Sequence, residues 1–166
     1  MSLSQADLRS ALLAAGLNAS LWQLANDEFE PCSYGFVAAN WQAWVGSLPP
    51  ELKTIEVVGG KSIAIPRWLA EVNNCVQLAM GTVWWANVGN AIKEVQSQAP
   101  RGGIAYGMMF YTAGPARPEN FNVAGAHAIN WFVDFLGAVR FFEPGQGSEV
   151  FPSQIEKASA AFGIAL

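Results

Sequence analysis

The sequence predicts an α+β fold in which one central helix packs on an antiparallel sheet. Apolar residues recur at helical spacing through the first half of the chain, and the uncharged run from Val72 to Ile92 reads as a buried helix. After Gly102-Gly103 the pattern changes to short β-rich segments. Helices first and strands last is the order of an α+β domain.

Each element follows from local signals. Ser4, with Asp7 three residues later, forms a loose capping box ahead of Leu8, Ala11, Leu12 and Ala15, whose spacing stops at Gly16. A second short helix is expected over Ala19 to Ala25, and the polar stretch from Asn26 to Pro31 reads as a loop. Phe36, Val37, Trp41, Trp44 and Val45 fit a helix from Tyr34 to Val45 that Pro49-Pro50 ends. Thr54 to Val58 and Lys61 to Ile65 flank Gly59-Gly60 as a hairpin. The long helix is expected from about Asn74 to Gln98, with Gly81 and Gly89 as weak points or close-packing positions. Strands are expected at Ile104 to Thr112, Ala126 to Val133 and Val139 to Glu143. A single domain spans 1–166: a helical part with a short hairpin (1–66), a core (67–150) and a C-terminal tail (151–166).

Composition narrows the function. The 166 residues carry 9 basic and 13 acidic side chains, and 13 % are charged against 52 % apolar. An average domain is about 25 % charged, so disorder is excluded. Five arginines and four lysines are scattered singly, which leaves no basic stripe for nucleic acid. Asn73, Asn74, Gln77, Asn87 and Asn90 interrupt the long uncharged run, so it is not expected to cross a membrane. Met1-Ser2-Leu3-Ser4 has no signal-peptide pattern, which points to the cytoplasm or to export without a classical signal. The apolar excess exceeds what a lone chain of this length buries comfortably, so a homo-oligomer or a partner-bound domain is expected.

His127 is the sole histidine. Period two places it with Ile129, Trp131 and Val133 on one strand face. A turn loop of Asp134 to Leu136 would set Glu143 opposite His127, whereas a loop of Asp134 to Gly137 would set Pro144 there. Directly opposed Cβ atoms lie roughly 4.5–5.5 Å apart, within reach of a carboxylate–imidazole contact. Such a contact fixes the imidazole tautomer and stabilises its cation, as an acid–base histidine requires. The plain alternative is an ordinary hairpin whose histidine caps an apolar face.

A nucleophile decides between them. With Asn74 as N-cap, Cys75 becomes the first residue of the long helix, where unpaired amides and the helix dipole favour a thiolate. The competing reading is a buried structural cysteine. Cys32 also precedes a helix and is the second-choice nucleophile, because Asp27, Glu28 and Glu30 nearby disfavour a thiolate. One histidine and two separated cysteines give no closed metal-ligand set, and no Gly-x-Ser-x-Gly elbow occurs.

Asn74-Cys75-Val76-Gln77-Leu78-Ala79 is followed by His127-Ala128-Ile129-Asn130-Trp131 and then by Val139-Arg140-Phe141-Phe142-Glu143-Pro144. Roughly from Trp68 to Val150, this arrangement resembles the papain-like cysteine protease domain of the Marasmius oreades agglutinin family, with its His-Ala-x-Asn-Trp and Phe-x-Glu-Pro strands. The resemblance implies a papain-like fold and a triad of Cys75, His127 and Glu143 that acts on a peptide or protein substrate through an acyl-enzyme. By analogy with papain-like folds, the Cys75 amide supplies one oxyanion donor, and Asn73 and Asn74 are candidates for the second. The resemblance also implies calcium, but amides rather than carboxylates flank Cys75, so no cofactor is expected. No segment here corresponds to the β-trefoil sugar-binding domain that precedes the protease domain in that lectin.

The alternative from another class is a non-catalytic binding or assembly domain that retains the fold. Seven tryptophans raise a carbohydrate-binding reading, although core packing accounts for most of them. Thiol alkylation separates the two classes.

Overall fold

The computed structural model describes residues 3–15, 28–69, 71–95, 104–111, 126–151 and 155–165. The short helix expected over 19–25 lies outside them. Helix α1 (Gln5–Ala14) starts as its capping box predicts: the Asp7 N–H donates to Ser4 Oγ, and the Ser4 hydroxyl donates to Asp7 Oδ2 at 2.6 Å. Strand β1 (Leu3–Ser4) precedes it and pairs antiparallel with β2 (Glu28–Phe29). Part of the expected 26–31 loop is therefore a strand. Two residues are too short to show a period of two, so no pattern announced it.

Helix α2 (Tyr34–Ser47) begins at Ser33, whose Oγ accepts from the Phe36 N–H, and turns Val37, Trp41, Trp44 and Val45 inward. A 3-10 turn (Pro50–Leu52) leads into the hairpin of β3 (Lys53–Val58) and β4 (Lys61–Pro66). Gly59 and Gly60 both have positive φ, the requirement of a two-residue type I′ turn.

Helix α3 (Cys75–Val95) is the long central helix. It packs against α2 and against a five-stranded antiparallel sheet of order β8-β7-β6-β5-β9. The strands are β5 (Ile104–Tyr111), β6 (Ala126–Val133), β7 (Val139–Glu143), β8 (Ser148–Val150) and β9 (Ile155–Ala165). The stretch expected to be a C-terminal tail thus supplies β9, which pairs with β5 through several register shifts.

One apolar cluster joins these layers. It contains Val37, Trp41, Trp44 and Val45 of α2, Leu78, Val83 and Ala86 of α3, and Phe132 and Phe142 of the sheet. Glycines let the two α2 indoles approach their neighbours. A Cβ on Gly81 would lie 2.1 Å from the Trp44 ring, so Gly81 is a close-packing position rather than a weak point. On β7 Arg140 makes a two-point ion pair with Glu149 of β8 (2.8 and 3.0 Å) and lies over the rings of Tyr34 and Phe132. Its hydrogen bond to Glu149 raises the Arg140 pKa. Burial raises that of the Tyr34 phenol, with Glu149 adding to the rise and Arg140 opposing it.

Candidate functional site

The approach to α3 is held by two consecutive asparagines. Asn73 is buried, and its side-chain N–H groups donate to the Leu52 carbonyl (3.2 Å) and the Arg67 carbonyl (2.6 Å). Its backbone N–H donates to the Leu69 carbonyl at 2.8 Å. Asn73 is therefore a strut that fastens the connection to the 3-10 turn. Both of its amide hydrogens are engaged, which removes it as an oxyanion donor. Asn74 is the N-cap: its Oδ1 accepts from Val76 N–H (3.1 Å) and Gln77 N–H (3.2 Å). That role orients its side chain to the helix amides rather than to a substrate.

Cys75 follows as the first residue of α3, half-buried, not in a disulfide and packed against the apolar cluster. The thiol thus sits at the positive end of α3, against the apolar cluster. Asn74→Ala should lower unfolding stability by about 1 kcal/mol through loss of the cap, read as a shift in the urea midpoint.

The sheet supplies the other two positions. The β6–β7 loop differs from both expected loops. Its three residues are Phe135, Leu136 and Gly137, closed by an Asp134 N–H to Ala138 carbonyl bond of 2.9 Å, with Gly137 at φ 82°. Asp134 Oδ1 accepts from the Leu136 and Ala138 amides, which fixes this choice. The register is accordingly Val133↔Val139, Phe132↔Arg140, Trp131↔Phe141 and Asn130↔Phe142. Continued by one step it would set Glu143 against Ile129, two residues from His127, so Glu143 is not directly opposite His127 as the shorter loop would have it.

That ladder ends at Asn130↔Phe142, although β6 itself runs on to Ala126 in partnership with β5, where His127 pairs with Met109. Beyond Asn130 the two strands part, and Glu143 stands where they do. It is fully buried, and its Oε1 accepts from the Gly145 N–H at 2.9 Å. Its backbone carbonyl accepts from Gln146 and Gly147, closing the β7–β8 turn. Trp41 Nε1 donates to the Pro144 carbonyl at 2.7 Å and ties that turn to α2. The His127 side chain lies outside the described residues.

Asn130, which the sequence marks only as a member of the His-Ala-x-Asn-Trp pattern with no role of its own, turns toward α3. Its Nδ2 donates to the Ala79 carbonyl at 2.9 Å, and the residue is fully buried. Only its place beside His127 and Trp131 could have drawn attention to it.

Cys32 does not share the setting of Cys75. It is 2 % exposed within the apolar cluster, and its N–H donates to the Val133 carbonyl at 2.9 Å. Burial removes it as a nucleophile more firmly than its acidic neighbours do. Among the described residues no three His, Cys, Asp or Glu side chains gather as a metal site, and no helix is long and apolar enough to cross a membrane.

No family model matches the chain, and no curated protein matches it. A solved structure, the PSL1a–E64 complex, is similar to it at 21 % identity and a TM-score of 0.59, covering 97 % of this chain and 51 % of that one. The chain thus spans about half the length of that structure. The likeness is one of fold: helices with antiparallel sheets, α+β as expected and consistent with a papain-like arrangement.

Proposed function

We propose that this chain is a cysteine peptidase or related thiol hydrolase, with Cys75 as nucleophile, His127 as general base and then acid, and Glu143 as the residue orienting His127. The observation that carries this reading is the half-buried Cys75 thiol at the capped head of α3, packed on the sheet whose β6 and β7 bear the other two residues. Two further points support it. The similar PSL1a structure holds E64, a cysteine protease inhibitor. The sequence pattern around Cys75, His127 and Glu143 resembles the protease domain of the Marasmius oreades agglutinin family.

In this reading His127 takes the thiol proton, and the Cys75 sulfur adds to the carbonyl carbon of a peptide substrate. The carbon–nitrogen bond then breaks as His127 returns the proton to the leaving amine. Water, deprotonated by His127, attacks the thioester, and the released thiolate is reprotonated. A buried carboxylate on the neighbouring strand holds the imidazole in the tautomer that this sequence needs. Calcium finds little to bind beside Cys75. Calcium takes oxygen ligands, and the Asn74 oxygen beside Cys75 is already occupied by helix amides. No step is routed through it.

The test is covalent labelling. Iodoacetamide near neutral pH, and E64 in a parallel reaction, should modify Cys75 and leave Cys32 unmodified, as mapped by peptide mass. His127→Ala should slow Cys75 labelling at least about tenfold, the loss expected when a thiolate–imidazolium pair reverts to a neutral thiol. Equal, slow labelling of both cysteines, unchanged in His127→Ala, would sink the enzymatic reading in favour of a binding or assembly domain.

A further inference from the structure

We infer that Asn130 is a positioning residue for this site, locking the helix that carries Cys75 to the strand that carries His127; the inference rests on the thiol-hydrolase reading above. Three placements converge on this one side chain. Its Nδ2 donates to the carbonyl of Ala79, four residues after Cys75 and so one turn along the same helix face. It lies three residues from His127 on β6, an odd separation that places the two on opposite strand faces, so Asn130 acts on His127 through the position of the strand backbone. It is also the last β6 residue paired with β7, opposite Phe142 and therefore next to Glu143 at the point where the two strands part.

The chemistry explains why an amide should stand there. Asn130 is fully buried where α3 meets the sheet, near the apolar Leu78, Val83, Ala86, Phe132 and Phe142; Thr82, a buried polar side chain of α3 itself, bonds back to its own helix at Leu78. A branched apolar side chain would fill such a site without the desolvation penalty of an amide. Apolar contact is non-directional, so packing alone tolerates small slides of a helix along a sheet. A 2.9 Å hydrogen bond to one chosen carbonyl does not, because it fixes the translation of α3 against β6. Acyl transfer is sensitive to displacements of about 1 Å between reacting groups. Ala79 already belongs to the helical ladder, so the bond from Asn130 is additional to what the helix needs for itself. It sets the helix's position rather than its existence.

The experiment reads the pH dependence of Cys75 alkylation by iodoacetamide, with adducts mapped by peptide mass, for the wild type, Asn130→Leu, Asn130→Gln and Val83→Ala. In the wild type an ion-paired thiolate keeps alkylation fast below pH 7, giving an acid shoulder. Asn130→Leu keeps the branching and heavy-atom count, with somewhat larger volume, and loses the donor. It should remain folded by circular dichroism yet lose the shoulder, with the rate at pH 6 falling at least about tenfold as the thiol reverts toward an ordinary pKa near 8.5. Asn130→Gln keeps the donor but lengthens the side chain by one methylene, and it should lower the shoulder as well; it carries the test if the leucine variant does not fold. Val83→Ala loosens the same α3 interface without touching the hydrogen bond, and it should keep the shoulder.

A shoulder retained in both Asn130 variants overturns the positioning role while leaving the cysteine–histidine reading intact. A shoulder lost equally in Val83→Ala also overturns it, because general loosening would then suffice. A wild type with no shoulder at all overturns the thiol-hydrolase reading, and this inference falls with it.

Discussion

Gly147→Ala is expected to destabilise the fold by about 2–5 kcal/mol, measured as a drop in the urea midpoint at unchanged m-value. Two independent costs add. Gly147 has φ 68°, a left-handed conformation that costs a residue with a Cβ about 1–2 kcal/mol. The new Cβ would also lie 2.3 Å from the Trp41 ring, and overpacking of that kind costs about 1–3 kcal/mol. Trp41 has little freedom to withdraw, since its Nε1 is bonded to the Pro144 carbonyl and its ring meets Phe142 edge-on at 5.9 Å. The strain falls on the turn that closes over Glu143. A variant that keeps its midpoint would show that the indole moves aside.

Phe142→Ala is the second large effect, with an expected loss of about 3–5 kcal/mol by the same measurement. The side chain is fully buried, and its ring centroid lies 5.9 Å from those of both Trp41 and Tyr34. Strands on one side and α2 on the other leave no route by which neighbours could fill the space. Arg140 above Tyr34 is held in place by Glu149, so that wall is also fixed. A loss below about 1 kcal/mol would mean that α2 collapses onto β7 and that the cluster is softer than its burial implies.

These two residues mark the boundary between what the sequence announces and what it conceals. The Asn74 cap, the Gly59-Gly60 turn and the limits of β6 and β7 follow from local chemistry, and the structure has them where the residues predict. The register of β6 on β7 also depends on local chemistry, but on a finer choice. Asp134 faces Ala138 across a backbone hydrogen bond just beyond the strands instead of entering the loop, and that displaces Glu143 from the position opposite His127. Asn73 shows a different limit. Its identity reveals a donor, but its acceptors at Leu52 and Arg67 are defined only once the chain has folded back on itself. β8 has only three residues, and the Lys-Ala-Ser-Ala-Ala run within β9 gives little alternation to read. Trp41 over Gly147 joins positions so far apart in sequence that no spacing rule connects them.

The order β8-β7-β6-β5-β9 also has a kinetic meaning. The β6–β7 and β7–β8 connections are short hairpins, each able to form within its own stretch of chain. β5 meets β9 only after the whole stretch between Tyr111 and Ile155 has been gathered in, so its loop-closure entropy is greater. The sheet should therefore grow outward from its local hairpins, with β9 arriving last to cover the edge of β5. Until it does, β5 offers a row of unpaired backbone groups to any other extended chain, and the hazard of misassembly is concentrated in that interval.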